Sequence, residues 1–344
     1  YEYEEEVCRE LKDVIPQGSL FGEPTINLGS YQQVQKYFSA YGIPMPPSTK
    51  EQFLLPLEDE YPIIKTFLKY KKASKAYSSF GEKYKEFINP VSGRVHANFI
   101  QIGAETGRFA CSNPNLMQIP KDKEHRNCFR AEEGNVFIIC DYGQQELRLL
   151  ADFSQDKALQ EVFNSGIDFH IATAAKIFKK LVDDVTHDDR ELAKRMNYLL
   201  TYGGGAQKFS EVAGIAKEQA QAIIDAYFAG FKGVKRWMNY QQAQVLNTRQ
   251  ARSMYNRMAK YEFDYDNFRE RSGVQRNASN MPLQSSAADI LKRVLRLFYE
   301  AVKPYNNKIK LVNIVHDELI VETDINLLET ASNLLKECMQ QAWK

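Results

Sequence analysis

No stretch of the chain approaches the ~20 consecutive apolar residues that a membrane-spanning helix needs. No partner membrane is therefore expected. Cysteine is scarce: five residues, Cys8, Cys111, Cys128, Cys140 and Cys338, lie scattered with no C-x-x-C pair. That argues against both a disulfide framework and a zinc site, and reads as reduced, buried thiols of an intracellular protein. An excess of either charge is missing too, since 45 Lys and Arg face 44 Asp and Glu for a formal net charge of +1. Composition alone does not point to nucleic acid, and any binding face must concentrate its positive charge locally. Internal repeats and low-complexity tracts are absent. Tyr1-Glu2-Tyr3-Glu4-Glu5-Glu6 is acidic and unlike a signal peptide. The chain does not begin with Met, so it is expected to be a fragment or a processed product.

What is present is a chain of 344 residues, 44% hydrophobic and 26% charged, in keeping with a soluble globular protein of two or three subdomains. A helix is expected over Glu4–Val14, a Gly/Pro-rich break over Pro16–Pro24, and a helix over Tyr31–Tyr41 that Gly42-Ile43-Pro44-Met45-Pro46-Pro47 cannot continue. Pro62 to about Phe87 reads as one long helix, with Lys65, Lys69, Lys72 and Lys75 near one face and Tyr70, Tyr77 and Tyr84 on another. An amphipathic helix with a solvated lysine stripe is the simpler reading; a phosphate-tracking face is the functional alternative. Arg94–Ile102 alternates like a strand after the Asn89–Gly93 turn. Val136–Cys140 is a β-prone run ending at Asp141, and a helix carrying Glu146, Leu147, Leu150 and Ala151 follows. Phe169–Tyr240 is mostly helical, broken at Gly203-Gly204-Gly205 and near Gly230–Gly233. Leu311–Val315 and Leu319–Val321 read as a hairpin with His316-Asp317-Glu318 at its tip, before a last helix from about Asn326.

Two acids stand at strand ends, Asp141 and Asp317. Ionised carboxylates at the ends of buried strands are costly unless paired or metal-bound. Hard oxygen donors of this kind suit Mg²⁺. Two such ions ~3.5–4 Å apart activate an attacking hydroxyl and stabilise a leaving pyrophosphate. Either acid alone is more simply a turn or helix cap. A third group changes the balance: Arg190-x-x-x-Lys194-x-x-x-Tyr198-x-x-x-Tyr202-Gly203. Each four-residue step drifts only ~40° round a helix, so the four side chains share one slowly rotating face. Two cations suit a triphosphate, and two rings suit a base or sugar. The dipole at the Arg190 end favours phosphate as well. A solvated basic face would explain the cations but not the in-line rings.

These motifs resemble the DNA polymerase I family, family A. Asp141-Tyr142-Gly143-Gln144-Gln145-Glu146-Leu147-Arg148 resembles its first palm motif, Arg190–Gly203 its fingers helix, and Val315-His316-Asp317-Glu318 its second palm motif, in the family's order. Thr106-Gly107-Arg108 with Asn113–Pro120 resembles its primer–template segment. Asp168–Ala174 resembles the start of the fingers, and Arg276-x-x-x-Asn280-x-Pro282-x-Gln284 its minor-groove helix. The likeness runs from about Asn27 onward. It implies an α+β fold of right-hand polymerase architecture, with an antiparallel palm sheet and mainly helical thumb and fingers. The implied division is an N-terminal segment and thumb over 1–92, palm over 93–160, fingers over 161–264 and palm again over 265–344.

The resemblance also assigns roles. Asp141, Asp317 and the Tyr142 carbonyl would hold two Mg²⁺, for which Mn²⁺ can substitute, with Glu318 beside them. Arg190, Lys194, His170 and Gln144 would hold the dNTP phosphates, with Lys194 also protonating the leaving group. Glu146 would exclude a ribose 2′-hydroxyl, Tyr198 would lie against sugar and base, and Tyr202 would occupy the template-base position while the fingers are open. Arg108, Arg276, Asn280, Gln284 and His316 would test the shape of the nascent pair through near-degenerate minor-groove acceptors. The implied enzyme is a DNA-directed DNA polymerase that acts on primer–template DNA and dNTPs, as an intracellular monomer of a bacterium, a phage-infected cell or an organelle. RNA is also open as a template.

Some residues depart from the family pattern. Tyr198 stands where many bacterial members carry Phe, and its hydroxyl can replace a missing sugar 3′-hydroxyl, so dideoxynucleotides should enter readily. Gly143 and Gln145 replace the small hydroxyl and aliphatic residues usual there. About 90 residues precede the first palm segment, too few for the nuclease domains of many relatives, so this chain is expected to lack proofreading. The rivals are a single-subunit RNA polymerase, disfavoured by Glu146 and His316-Asp317-Glu318, and a non-catalytic DNA-binding relative, disfavoured by the retained acids and cations.

Overall fold

The computed structural model describes residues 27–40, 42–44 and 48–343. The helix expected over Glu4–Val14, the break at Pro16–Pro24, Cys8 and the Met45-Pro46-Pro47 segment lie outside them. The chain forms two compact units, which meet between His96 and Ala97.

In the first unit, helix α1 (Tyr31–Ala40) buries Val34 and Phe38, one turn apart. Helix α2 (Pro62–Phe80) opens on a proline, whose missing N–H costs nothing in a first turn, and buries Ile63, Ile64 and Phe67. The Phe38 and Phe67 rings meet edge to face, 5.2 Å between centroids, at the centre of a small apolar core. Lys65, Lys69, Lys72 and Lys75 lie on the exposed side of α2. The helix ends at Phe80, short of the expected Phe87. At Gly81 the backbone turns extended, and a Cβ there would fall 2.3 Å from the Tyr77 carbonyl oxygen. A 3₁₀ stretch then carries Glu82–Phe87.

The second unit is α+β. Strands β1 (Asn98–Ile100) and β2 (Ala110–Ser112) pair antiparallel. The strand expected over Arg94–Ile102 is thus only three residues long. Asn89 and Arg94 are hydrogen-bonded backbone to backbone and Ile88 bridges Val95, which closes a loop before the strand can start. Strand β3 (Asn135–Asp141) leads into helix α3 (Gln145–Ser154), followed by α4 (Lys157–Asn164), α5 (Phe169–Phe178), α6 (His187–Thr201), α7 (Ala206–Ala213), α8 (Lys217–Gly230) and α9 (Lys232–Thr248). The helical region therefore has further breaks at 179–186 and 214–216, besides those the glycines signal. Short strands β4 (Gln250–Arg252) and β5 (Met258–Lys260) precede the 35-residue helix α10 (Phe268–Val302), which holds Pro282 in its interior. Strands β6 (Ile309–Val315) and β7 (Glu318–Asp324) form the hairpin read from the sequence, and helix α11 (Leu328–Gln341) follows.

The main sheet has the order β3-β7-β6, antiparallel throughout. One apolar core joins it to the helices: Leu319 and Val321 of β7 and Ile138 of β3 share it with Leu147 and Leu150 of α3, Ile290 and Val294 of α10, and Leu335 of α11. It continues into Met196 and Leu200 of α6. The sheet is thereby fixed with its acidic end beside α3 and α6. The buried-thiol expectation holds for Cys111 and Cys338 but fails for Cys128, which is exposed in the turn after Asp122.

Candidate active site

Antiparallel register sets the two acids side by side. Asp141 is the last residue of β3 and pairs with Glu318, the first of β7, so Asp317 sits one residue beyond the pair. Both strands leave this edge through left-handed backbone: His316 has φ +58° in the two-residue turn, and Gln144 has φ +59° at the start of α3. Such angles are rare for residues with a Cβ and persist where the surroundings enforce them. Asp141 is exposed and Asp317 half-buried, so the argument from buried acids applies to Asp317 alone. Burial, the Asp141 carboxylate and Glu146 push the Asp317 carboxyl up to about 6, against a backbone hydrogen bond and Arg108.

A cavity of about 490 Å³ opens on these acids. Asp141, Tyr142, Gln144 and Glu146 line it from the β3–α3 side, and His316 and Asp317 from the hairpin. Arg108, Tyr198 and Tyr202 close it from the other elements. Glu146 is ion-paired with Arg108, which also hydrogen-bonds the Tyr202 hydroxyl. Burial raises the Tyr198 pKa, with Asp317, Glu146 and Asp141 adding to it, so this phenol lies within the field of all three acids.

The cation-bearing face is helix α6. A capping box starts it: Thr186 accepts from the Asp189 N–H and the Asp189 carboxylate accepts from the Thr186 N–H. Lys194, Tyr198 and Tyr202 share a second cavity along the helix. Arg190 stands apart from both cavities. It donates to both oxygens of Asp168, at 2.9 and 3.2 Å, and to Glu191 at 2.9 Å. Glu191 also pairs with Lys194 at 3.5 Å. Gly203 ends α6 in the left-handed region; its N–H reaches the Leu200 carbonyl and the Gly204 N–H reaches the Leu199 carbonyl, a Schellman motif. A Cβ on Gly203 would touch Arg276 of α10 at 3.0 Å, and one on Gly204 would strike Leu199 at 2.5 Å. These two glycines are therefore required by close packing.

His170 is 4% exposed and bonded at Nδ1 to the Asn197 side chain, 3.2 Å away, with the Tyr198 ring 5.8 Å from its own. Burial and the nearby Arg190 and Lys194 hold its pKa below the usual imidazole range, so it is a neutral ring at neutral pH. Arg276, Asn280 and Gln284 share one side of α10 at four-residue spacing, outside the cavity lining; the buried Asn280 Oδ1 lacks a hydrogen-bond partner. Glu318 lies outside that lining too, 4.0 Å from Arg126.

The donor set fits a hard cation. Asp141 and Asp317 offer carboxylate oxygens, and the Tyr142 side chain is committed elsewhere: its hydroxyl donates to the Met339 carbonyl at 2.5 Å and its ring meets Trp343 edge-on. Only its backbone remains to serve the site. Among the described residues, no group of three or more His, Cys, Asp or Glu side chains forms a complete metal cage. A Mg²⁺ site that shares its shell with water and substrate phosphate needs no such cage.

A model of the family described as DNA polymerase family A matches residues 2–344. The chain belongs to DNA polymerase family A. Among relatives of this family A chain, the DNA polymerase I of Pseudomonas aeruginosa is 33% identical over 330 residues, 92% of this chain and 36% of that protein. The thermostable DNA polymerase I of Thermus aquaticus is 32% identical, covering 98% of this chain and 42% of that protein. The chain thus spans well under two thirds of these curated relatives. The polymerase domain of Pol1 from M. smegmatis, solved in complex with DNA primer-template and dNTP, superposes with a TM-score of 0.88 at 28% identity, over 100% of this chain and 63% of that one. The antiparallel sheet and helical remainder expected of the family A fold are what the second unit displays.

Sequence reasoning missed several neighbours within this family A site. Lys121 and Phe109 line the cavity, Asp168 and Glu191 hold Arg190, and Arg126 faces Glu318. Only Glu191 carried a local signal, since it sits one residue from Arg190 and three from Lys194.

Proposed function

We propose that this chain is a DNA-directed DNA polymerase that joins dNTPs to a primer 3′-hydroxyl on a DNA template. The observation that carries the reading is the shared cavity: Asp141 and Asp317 face Glu146, Arg108 and the two α6 tyrosines across it. Residues 1–92 contain the thumb, 93–160 and 265–344 the palm, and 161–264 the fingers. When bound at Asp141, Asp317 and the Tyr142 carbonyl, two Mg²⁺ would supply charge neutralisation for phosphoryl transfer.

The chain's own residues do the rest. Arg190 and Lys194 exchange their carboxylate partners for the triphosphate, and Lys194 Nζ is the proton donor to departing pyrophosphate. Glu146, held by Arg108, fills the space a 2′-hydroxyl would need, which favours a deoxyribose. Tyr198 lies against sugar and base, and Tyr202 holds the template-base position until the pair forms. His170, buried and neutral, positions Tyr198 from behind and, with Gln144, completes the phosphate side. Arg276, Asn280, Gln284 and His316 test the minor groove of the new pair. Glu318 steadies the acidic edge.

Primer extension on DNA and RNA templates, with dNTPs or rNTPs and with Mg²⁺, Mn²⁺ or EDTA, tests this reading. Extension of the DNA primer with dNTPs in Mg²⁺ is expected, and its loss in EDTA. Preferential use of rNTPs would instead identify an RNA polymerase, and DNA binding without extension a non-catalytic relative.

A further inference from the structure

The residues on either side of Arg108 both contact one lysine. Lys292 of α10 donates to the Gly107 carbonyl at 2.6 Å, and its ammonium lies 5.5 Å over the Phe109 ring. Gly107 is buried with φ +77°, and a Cβ there would meet the Arg257 guanidinium at 2.7 Å. That guanidinium cannot move aside freely. It makes two bonds, 2.8 and 2.6 Å, to Asp289, which is 8% exposed and takes a third at 2.7 Å from Ser253. Asp289 stands one turn before Lys292 on α10, so both contacts to Gly107 trace to one rigid helix. Burial and Arg257 lower the Lys292 pKa, and Asp289 opposes them.

We propose that Lys292, with the Arg257–Asp289 pair, is a positioning strut that fixes the Gly107–Arg108 backbone and, through Arg108, the carboxylate of Glu146, so that it sets sugar discrimination from outside the cavity. Lys292 itself does not line that cavity. The proposal rests on the reading of Glu146 as the sugar gate.

The test is the ratio of kcat/KM for a dNTP over the matching rNTP, measured on one enzyme sample so that any unfolded fraction cancels. Lys292→Met is expected to lower the ratio about tenfold, mainly by admitting rNTP, and to add nothing in a Glu146→Ala background. Gly107→Ala, which disturbs the same loop from the opposite side, is expected to lower it as well. Arg296→Met removes a charge one turn further along α10 on an exposed side chain and is expected to leave the ratio alone. If Glu146→Ala relaxes the ratio and Lys292→Met does not, the strut is overturned while the gate stands. Equal relaxation by Arg296→Met overturns it too, by showing a general charge effect. If Glu146→Ala leaves the ratio unchanged, the gate reading has failed and the strut falls with it.

Discussion

The acidic edge of the main sheet and the cationic face of α6, which the proposed function brings to one substrate, stand in opposite electrostatic conditions. At the sheet edge, burial first and then the facing Asp141 and Glu146 carboxylates push the Asp317 carboxyl up to about 6. On α6 both Arg190 and Lys194 already have a carboxylate: Asp168 and Glu191 for Arg190, Glu191 for Lys194. The first region waits for positive charge, and the second must trade one anion for another. On the proposed reading, part of the binding energy of a triphosphate would be spent displacing Glu191, while a cation at the sheet edge would relieve repulsion.

The largest effect that would break this contrast is at the acids. Asp317→Ala should retain DNA binding in a filter or anisotropy assay and lose single-turnover extension by about 10³-fold or more. An unchanged rate would remove the sheet edge from the chemistry. Next, Tyr198→Phe should raise discrimination against a dideoxynucleotide about tenfold in competitive incorporation, the worth of one hydrogen bond. An unchanged ratio would show that the hydroxyl, which lies in the field of the acids, does not stand in for the sugar oxygen.

A smaller effect concerns stability. Because Asp317 is raised above 3.8 in the folded state, its contribution is fully present below pH 4 and is lost as pH rises through about 6. In EDTA, Asp317→Asn should therefore be about 1 kcal/mol more stable than the parent at pH 7.5, after allowance for partial exposure, and the gap should close below pH 4. Thermal melts across that range measure it, and added Mg²⁺ should narrow the gap. The smallest effect sharpens the other side. Glu191→Gln removes the carboxylate paired with Lys194 and one of the two that hold Arg190, and should lower the dNTP KM about threefold with kcat unchanged, the scale of an exposed ion pair.

The two regions also differed in how far their sequence could be read. The strand ends and the β6–β7 hairpin were legible because a β-prone run bounded by polar residues admits few registers. The α6 face was legible because helical spacing is local. The pairing of Arg190 with Asp168, 22 positions away, and of Lys292 with Gly107, 185 away, was not, since such contacts exist only after the elements pack. The exposure of Asp141 was misjudged for a related reason: a strand can end in an apolar core and still present its last side chain to solvent. The helix breaks at Gly81 and 179–186 escaped because neither interrupts the run of helix-forming residues enough to be seen.

The tight seat of Gly203 against Arg276 has a mechanical corollary. Were α6 to tilt, that contact would make its far end the fulcrum. The helix has 15 residues, a lever of roughly 20 Å at ~1.5 Å per residue, so a tilt of about 10° about Gly203 sweeps the Arg190 end by about 4 Å while Tyr202 hardly travels. On the proposed roles, the end assigned to the triphosphate would have the long stroke and the end assigned to the template base the short one.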